Sequence, residues 1–259
     1  MSRQVKLLRR LLRKLVWLPA VTGCLAQTAP LAPFPAEEGL FRMTNAARSE
    51  QGLAPLKWDD ALAQAARAHA ELLLQNGQLS HQFPGEPGLA LRVAQAGAHF
   101  QTVAENVAEG PGIDSLQRGW MNSPPHRANI LDPGLNAVGF GIVQHGDVLY
   151  AVADFARAVP SLSFDQVEAA VAKLLAAQGV QTSGPTVDAR ETCEMSHGAA
   201  GGSSPRFIMR WQSADLSQLP DALEEQLRTK TYRTAAIGAC SSANAESGFT
   251  TYRVAVLLY

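Results

Sequence analysis

The sequence predicts an α/β fold followed by a smaller α+β part, and three patterns support this prediction. Apolar residues recur at helical spacing over residues 36–52 and 58–77. Two β runs, 137–143 and 148–155, flank His145-Gly146-Asp147, which is a hairpin signal. A second set of helical and strand patterns follows Pro160. Hydrophobic residues make up 46% of the chain and charged residues 17%, so the chain can bury a core.

The first 23 residues have the pattern of a secretion signal. Six basic residues with no acid among them come first: Arg3, Lys6, Arg9, Arg10, Arg13 and Lys14. The uncharged, mostly apolar run that follows, Leu15–Gly23, falls well below the ~20 residues that a membrane-spanning helix needs. Basic, apolar and then small residues are the order of a signal peptide, and a basic amphipathic surface helix is the alternative. We therefore predict a lipoprotein-type signal peptide over residues 1–23.

Cys24 is the predicted site of lipid attachment. Val21-Thr22-Gly23-Cys24 resembles a bacterial lipobox, in which the cysteine is lipidated and becomes the mature N-terminus. The alternative is cleavage after Leu25-Ala26, which removes Cys24. Either way Cys193 and Cys240 remain, an even number that suits one disulfide outside the cytosol. We expect an exported protein, either anchored to the envelope membrane by lipid or secreted.

Two amphipathic helices are predicted after an uncharged, Pro- and Ala-rich tether over residues 24–36. The first helix begins near Ala36 and ends at Gly52. The second is opened by Trp58-Asp59-Asp60, with an Asp as its N-cap, and ends at Gly77. His69 falls on the apolar stripe of the second helix, a position that favours a core imidazole satisfied by a neighbour over a catalytic one.

Polar residues then occur where elements end. His81 follows the second helix in a loop, the usual place for functional groups, although a plain surface histidine is the alternative. A short helix is predicted over residues 89–96, and another begins at Asp114 or Ser115 and ends at Pro124-Pro125. His126 heads the next segment. In the hairpin, glycines alternate with Val138, Phe140 and Ile142, which lets a neighbouring element approach closely.

The part after Pro160 matches no family that we recognise. We predict helices over 164–177 and 219–227, strands over 207–211, 231–239 and 249–258, and a loop region over 183–204. The order of a helix, Ile237-Gly238-Ala239-Cys240, a turn and a strand repeats the end of the first part. A diverged partial copy and an ordinary helix-plus-hairpin unit both explain this order. His197 lies in a Gly/Ser-rich loop, where a solvated side chain is the more ordinary interpretation.

Motifs spread over residues 38–155 resemble the CAP superfamily, which includes cysteine-rich secretory proteins, insect antigen 5 and plant pathogenesis-related proteins. The similarity is greatest to its bacterial, SCP-like extracellular branch. It rests on Asn45-x-x-Arg48, Gly52-Leu53-x-Pro55-Leu56-x-Trp58, Ser80-His81, Ala104-Glu105-Asn106-Val107-Ala108, Trp120-Met121-x-Ser123-Pro124-x-His126-Arg127-x-Asn129-Ile130-Leu131 and Val138-Gly139-Phe140-Gly141. The resemblance implies a three-layer α-β-α sandwich over residues 37–158, and the residue patterns after it predict a smaller α+β domain over 160–259.

The resemblance also implies an open cleft in which two histidines and two acidic residues can hold a divalent metal. Carried over, these are His81, Glu105 and His126, while Ser123 occupies the slot of the second acid. Asn106, Ser123, Arg127 and Asn129 would support the cleft. Two imidazoles and a carboxylate are a legitimate Zn²⁺ set that leaves a place for water. A satisfied polar cluster that braces loops is an equal alternative. Asp154 occupies a slot where the family often has Gln, and we do not assign it as a ligand.

Binding in the cell envelope is the function that these observations favour, with a lipid, glycan or peptide as ligand and a metal as an optional partner. The rival is a metal-assisted hydrolase acting on envelope polymers or proteins, and a module that braces an assembly is a third hypothesis. No His-Glu-x-x-His and no Gly-x-Ser-x-Gly motif is present in the sequence. A net charge of −1 argues against a nucleic-acid partner.

Overall fold

A computed structural model describes residues 34–259 except 203 and 243–246. The predicted signal peptide, Cys24 and most of the tether lie outside the described residues. The first part contains five helices and four strands: α1 (Pro35–Glu50), β1 (Lys57–Trp58), α2 (Asp60–Asn76), α3 (Leu89–Gln95), β2 (Phe100–Gly110), α4 (Ile113–Asn122), α5 (Pro124–Ile130), β3 (Ala137–His145) and β4 (Val148–Ala158). Among the described residues of the whole chain, no helix is long and apolar enough to cross a membrane.

The four strands form one sheet that has helices on both faces. Their order is β1-β3-β4-β2, with β1 parallel to β3 and the other neighbours antiparallel. Leu40 of α1 and Trp120 of α4 pack with Phe140 on one face, whereas Leu62 of α2 packs with Ala137 on the other. Alternate residues of a strand point to opposite faces, so one sheet can bury both layers. The predicted three-layer sandwich is confirmed.

Helix α2 lies directly on strand β3 because β3 has glycines where the two elements meet. A Cβ added to Gly139 would lie 2.0 Å from the backbone nitrogen of Ala63. One added to Gly141 would lie 2.2 Å from the carbonyl carbon of Ala66. No side chain fits at either position, which confirms the predicted close approach. The helix begins where predicted, since the Asp59 side chain accepts from the backbone amides at its first turn.

Two residues of the motif set hold loops rather than line a cleft. Arg48 is buried and donates to the carbonyl oxygens of Ala54, Ile130, Asp132 and Leu135. Asn45 exchanges two hydrogen bonds with the backbone of Leu56, at 2.8 and 3.1 Å. A guanidinium with several donors satisfies buried carbonyls that have no partner in a helix or sheet. These residues therefore fix the loops on which the candidate site depends.

The part after residue 160 forms a second four-stranded sheet with its own core. Its elements are α6 (Phe164–Ala177), β5 (Gln181–Pro185), α7 (Val187–Glu194), β6 (Phe207–Ser213), α8 (Asp221–Arg228), β7 (Thr234–Cys240) and β8 (Tyr252–Leu258). The strand order is β5-β7-β8-β6. Its apolar core includes Val171, Leu223 and Val254. The predicted α+β character is confirmed, and the helix and strand predictions agree with the structure except between residues 183 and 204.

The predicted loop region over 183–204 is wrong in its first half, which contains the end of β5 and all of α7. Thr186 caps α7 by accepting from the backbone amide of Ala189 at 3.1 Å. Only Ala189, Thr192 and Cys193 of this eight-residue helix are buried. A helix with so narrow an apolar stripe resembles a polar loop in the sequence.

A disulfide joins Cys193 of α7 to Cys240 of β7, with 5.8 Å between their Cα atoms. The pairing is the one that the cysteine count predicts. The loop before β8 also contacts strand β2, since the Thr250 amide donates to the Phe100 carbonyl at 2.9 Å and the Phe100 amide donates to the Thr250 hydroxyl at 3.1 Å. Residues 34–259 lie in one compact unit, and the division at residue 160 into two domains stays a prediction.

Candidate functional site: a buried carboxylate beside an exposed histidine

His81 and Glu105 are in contact although 24 residues separate them. His81 lies in the loop after α2, which Gly77 ends in the left-handed conformation. Glu105 lies in the middle of β2. The His81 Nδ1 atom is 2.8 Å from Glu105 Oε1, and 61% of the histidine side chain is exposed while the glutamate side chain is buried. A carboxylate on Nδ1 fixes the ring so that Nε2 is the nitrogen left for another partner.

Arg92 of α3 is the positive partner of this carboxylate. Its Nη2 atom forms an ion pair with Glu105 Oε2, and its Nη1 atom donates to the His81 carbonyl oxygen at 3.1 Å. The same Nη1 lies 3.4 Å from Glu86 Oε1. Buried carboxylates need such a partner, because an unpaired charge inside a protein is costly. Both oxygens of Glu105 are therefore engaged, one by His81 and one by Arg92.

His69 is part of the wall behind this pair. Its Nδ1 atom is 2.7 Å from Glu86 Oε1, and its Nε2 atom is 2.8 Å from the Ser80 carbonyl oxygen. The ring is fully buried. The predicted role of a satisfied core imidazole is confirmed, and the contact with Ser80 fixes the backbone immediately before His81.

Asp154 is a second buried carboxyl group next to Glu105. The two residues are direct partners on adjacent strands β2 and β4. Asp154 is completely buried, and neither of its carboxyl oxygens has a hydrogen-bond partner among the residues that the structure describes. Burial, followed by the negative charge of Glu105, raises the pKa of Asp154 well above its usual range. This shift favours the uncharged form of the Asp154 carboxyl group.

His126 faces the same region from the first turn of α5. Burial and the positive charge of His81 lower the pKa of His126, whereas the hydrogen bond to Glu105 is the largest cause of the raised pKa of His81. The pKa values of the two imidazoles are thus shifted in opposite directions. His81 is the more readily protonated, and His126 is the better lone-pair donor.

The side chains of Asn106 and Asn129 join α5 to β2 by hydrogen bonds. The Asn106 side chain donates to the His126 carbonyl oxygen at 3.0 Å. The Asn129 side chain donates to the Glu105 carbonyl oxygen at 3.2 Å and to the Asn106 side-chain oxygen at 2.8 Å. Ser123 is half-buried at the junction of α4 and α5, and Arg127 is exposed. The strand that carries Glu105 and the helix that carries His126 are held together by these amides.

Comparison with known proteins identifies the first part. Residues 41–155 match the family model of CAP, the cysteine-rich secretory protein family. These residues are a CAP domain. The chain is 33% identical over 122 residues to the uncharacterized protein YkwD of Bacillus subtilis (strain 168), covering 47% of this chain and 48% of that one. It is 32% identical over 110 residues to the uncharacterized membrane protein YlbC of the same organism, covering 41% of this chain and 31% of that one. The chain thus spans less than half the length of these relatives.

Two solved structures resemble the CAP domain. One is an extracellular protein containing a SCP domain from Bacillus anthracis str. Ames, which is 29% identical and covers 50% of this chain and 45% of that one, with a TM-score of 0.44. The other is an outer surface protein from Borrelia burgdorferi, which is 20% identical and covers 47% of this chain and 91% of that one, also with a TM-score of 0.44.

Glu105 of this CAP domain is already engaged, which limits the metal ligands that the cleft can offer beside its two histidines. Within the described residues, no group of three or more His, Cys, Asp or Glu side chains is placed to hold a metal ion. Glu105 has both oxygens engaged by His81 and Arg92, and Ser123 brings no carboxylate. Catalytic zinc sites have three protein ligands and one water. What this arrangement leaves is two imidazoles, His81 through Nε2 and His126.

The sequence analysis missed two charged residues of the cleft wall, Glu86 and Arg92, and noted Asp154 without assigning it a role. A weak signal existed for two of these three residues. Asp154 is the one acid inside the apolar run Val148–Phe155, and Arg92 stands beside Val93 in a short helix. A charged residue in a buried pattern indicates a buried partner. Their partners could not be found by spacing, because they lie on other elements.

Proposed function

We propose that the CAP domain binds an envelope ligand in the cleft between His81 and His126, and that recognition rather than hydrolysis is its activity. The observation that carries this proposal is the engagement of the carboxyl groups. Glu105 is paired on both oxygens and Asp154 is completely buried, so neither carboxyl group is free to reach a substrate as a general base. The groups that remain at the surface are those that recognise a ligand.

The chemistry favours a ligand with an anionic or strongly accepting oxygen. His81 is exposed, its raised pKa favours the charged ring, and Glu105 orients it through Nδ1. Its Nε2–H is thus a charge-assisted donor of fixed direction. Arg127 adds an exposed positive charge one residue after His126. Carboxylates of glycan-linked peptides and phosphates of lipid headgroups both carry such oxygens.

Binding of soluble peptidoglycan fragments, measured by calorimetry beside anionic phospholipid vesicles and a peptide pool, tests this proposal. We expect His81→Ala to weaken binding of the recognised ligand at least about tenfold, because it removes one charge-assisted hydrogen bond. His145→Ala is the matched control, since His145 is an exposed histidine at the end of β3. Binding that is equal in the wild type and His81→Ala would refute the cleft as the recognition site.

A metal-assisted hydrolase is the second candidate, and the geometry of His81 favours it specifically. A carboxylate on one ring nitrogen orients the other toward a metal in many zinc sites. Here His81 Nε2 and the neutral His126 would hold the ion, which would supply an activated water. Zn²⁺ affinity should fall as the pH drops through about 6.5, where imidazoles protonate. Calorimetry with Zn²⁺ should show weaker binding in His81→Ala and His126→Ala and tighter binding in Ser123→Glu.

Two measurements distinguish ligand recognition from metal-assisted hydrolysis. Equal Zn²⁺ binding in all four proteins rejects the metal site and leaves recognition. Release of peptidoglycan or peptide products only when Zn²⁺ is present, and only with both histidines in place, rejects recognition as the sole activity. A screen for hydrolysis of both polymer classes with and without Zn²⁺ supplies that second readout.

We also propose that Cys24 carries lipid and anchors the protein to the envelope membrane. The support is the Val-Thr-Gly-Cys sequence after a basic and apolar run. Two acyl chains anchor a protein stably, whereas one gives marginal binding. Mass spectrometry of the exported protein should find the mature N-terminus at Cys24 with added lipid mass. An N-terminus beyond Cys24 without lipid would contradict the anchor and leave a secreted protein.

A further inference from the structure

We propose that residues 164–258 are a second, diverged copy of the CAP fold formed by residues 35–158, in which an apolar core and a disulfide replace the cleft. The first observation is topology. Both parts run helix, strand, helix, strand, helix, strand, strand once α3 and α5 are set aside. Their strand orders, β1-β3-β4-β2 and β5-β7-β8-β6, correspond one to one. The first pair is parallel in each sheet and the other pairs are antiparallel.

A buried ion pair provides a second and independent observation. In the first copy Glu37 of α1 is completely buried, and Arg67 of α2 donates to it through Nε at 2.9 Å and through Nη2 at 2.5 Å. Glu37 Oε1 also accepts from the backbone amide of Ile142 on β3, at 3.4 Å. The glutamate thus joins two helices and a strand at one point.

The second copy contains the same arrangement on the corresponding elements. Glu168 of α6 is buried, and Arg190 of α7 donates to it through Nε at 2.8 Å and through Nη2 at 2.7 Å. Glu168 Oε1 accepts from the backbone amide of Ala239 on β7, at 2.8 Å. The same atoms of the same residue types meet on the same three elements. Shared topology alone does not require this coincidence.

The glycine that precedes each strand amide gives a third match. A Cβ on Gly141 would lie 2.2 Å from the backbone nitrogen of Arg67, and one on Gly238 would lie 2.3 Å from that of Arg190. In both copies the strand glycine therefore contacts the helix at the peptide bond that joins an alanine to the arginine. Gly141 corresponds to Gly238, and this fixes the residue register between the copies without any choice of alignment.

That register locates the disulfide. Counting from the two arginines, Ala70 corresponds to Cys193. Counting from the two glycines, Val143 corresponds to Cys240. Ala70 and Val143 belong to one apolar cluster between α2 and β3, so the disulfide crosslinks a helix and a strand that the first copy joins by packing alone.

The same register shows what became of the cleft. Gly139 pairs with Asp154, which pairs with Glu105. Two residues before Gly238 stands Ala236, which pairs with Leu257, which in turn pairs with Ile208. The positions of Asp154 and Glu105 in the first copy are thus occupied by the apolar Leu257 and Ile208 in the second. Together with Ala236, these two residues pack in one cluster around the disulfide.

His69 has a smaller counterpart. Its position corresponds to Thr192, which is also completely buried. The Thr192 hydroxyl accepts from the backbone amide of Ala200 at 2.9 Å, as His69 contacts the Ser80 carbonyl in the loop after α2. Each side chain fixes the loop that follows its helix. The second copy keeps the loop anchor, and among the described residues it has apolar side chains at the positions of both cleft carboxyl groups.

An experimental structure of the full chain and matched double-mutant cycles test the inference. The structure should superpose the two copies with each of Glu37, Arg67 and Gly141 on its counterpart. A different strand order in the second sheet would overturn the proposal. In the cycles, Glu37→Gln and Glu168→Gln should each lower the melting temperature, on the order of 10 °C, because each replaces a buried carboxylate that contacts both an arginine and a strand amide.

The coupling energies from the double-mutant cycles give the sharper test. The changes in unfolding free energy should be strongly non-additive for the pair Glu168→Gln and Arg190→Gln. The same holds for the pair Glu37→Gln and Arg67→Gln. The changes caused by Glu37→Gln and Arg190→Gln, which lie in different copies, should add. Asp165→Asn is the control, since Asp165 contacts Arg190 from an exposed position. Where Glu168→Gln does not fold, Arg190→Lys gives a milder variant. Additive effects within the second pair would overturn the proposed copy. The readout is unfolding, so the result is independent of what the cleft binds.

Discussion

The two copies differ most at the interface between the central helix and the sheet. In the first copy this region is flanked by the charged network of His69, Glu86, Arg92 and Glu105. In the second it is apolar and closed by the Cys193–Cys240 disulfide. The fold therefore does not need the charges of this network around His69 and Glu105. Apolar replacements of buried ion pairs are often neutral or stabilising. We infer that the first copy keeps these charges for its cleft.

Removing the disulfide should have the largest effect, and only in the second copy. The bond closes a loop with a sequence separation of 47 residues, which is worth about 4 kcal/mol in the chain-entropy model. We expect the double variant Cys193→Ala and Cys240→Ala to accelerate amide hydrogen exchange in β7 and β8 far more than in β3 and β4. Equal acceleration in both sheets would show that the copies do not differ in what stabilises them.

Filling the helix–strand contact should harm both copies alike. Gly141→Ala and Gly238→Ala each place a methyl group 2.1 to 2.2 Å from helix backbone, and we expect each to lower the free energy of unfolding by roughly 3 kcal/mol. Gly119→Ala in α4 is the control, because no atom lies within 4 Å of its added Cβ, and alanine favours a helix. Thermal unfolding measures all three. A harmless Gly238→Ala would break the correspondence between the copies.

Sequence patterns predicted the elements that are locally amphipathic and missed those that are not. The hairpin of β3 and β4, the Asp59 cap and the α6 helix follow from spacing within one segment. Strand β2 was not predicted, because Glu105 and Asn106 interrupt its apolar pattern although both are buried. Helix α7 was mistaken for a loop for a similar reason. Buried polar residues hide an element from a prediction based on hydrophobicity.

The candidate site was predictable only in part. His81, Glu105 and His126 came from the family resemblance, since no local period brings residues this far apart in sequence together. Arg92 was missed and Asp154 was given no role because their partners lie on other elements. The second copy offered only one faint signal in the sequence, the segment around Gly238. Its strongest signature, the pairing of Glu168 with Arg190, spans 22 residues and appears only in three dimensions.

Asp154→Asn should sharpen the comparison, because the second copy has uncharged Leu257 at this position. Burial raises the pKa of Asp154 in the folded state. The folded protein therefore binds this proton more tightly than the unfolded chain, and stability falls as the pH rises from about 4 toward the raised pKa. We expect Asp154→Asn to be more stable than the wild type at pH 7, by about 1 kcal/mol or more, and the gain to vanish near pH 3. Thermal unfolding at several pH values measures this, and a gain independent of pH would contradict it.

The smallest expected effect concerns His81, whose partner Glu105 corresponds to the apolar Ile208 in the second copy. The hydrogen bond to Glu105 raises the pKa of His81, so the stabilisation is fully present below the unfolded value of about 6.5 and is lost as the pH rises through the folded value. Because 61% of the side chain is exposed, solvent screens the contact and the change in stability should be slight. The titration itself is the better measurement. Followed by NMR, the His81 pKa should move down in Glu105→Gln and stay unchanged in Glu109→Gln, which alters an exposed glutamate on the same strand. A His81 pKa that is the same in all three proteins would mean that Glu105 serves Arg92 alone, and the orientation of the cleft histidine would then need another cause.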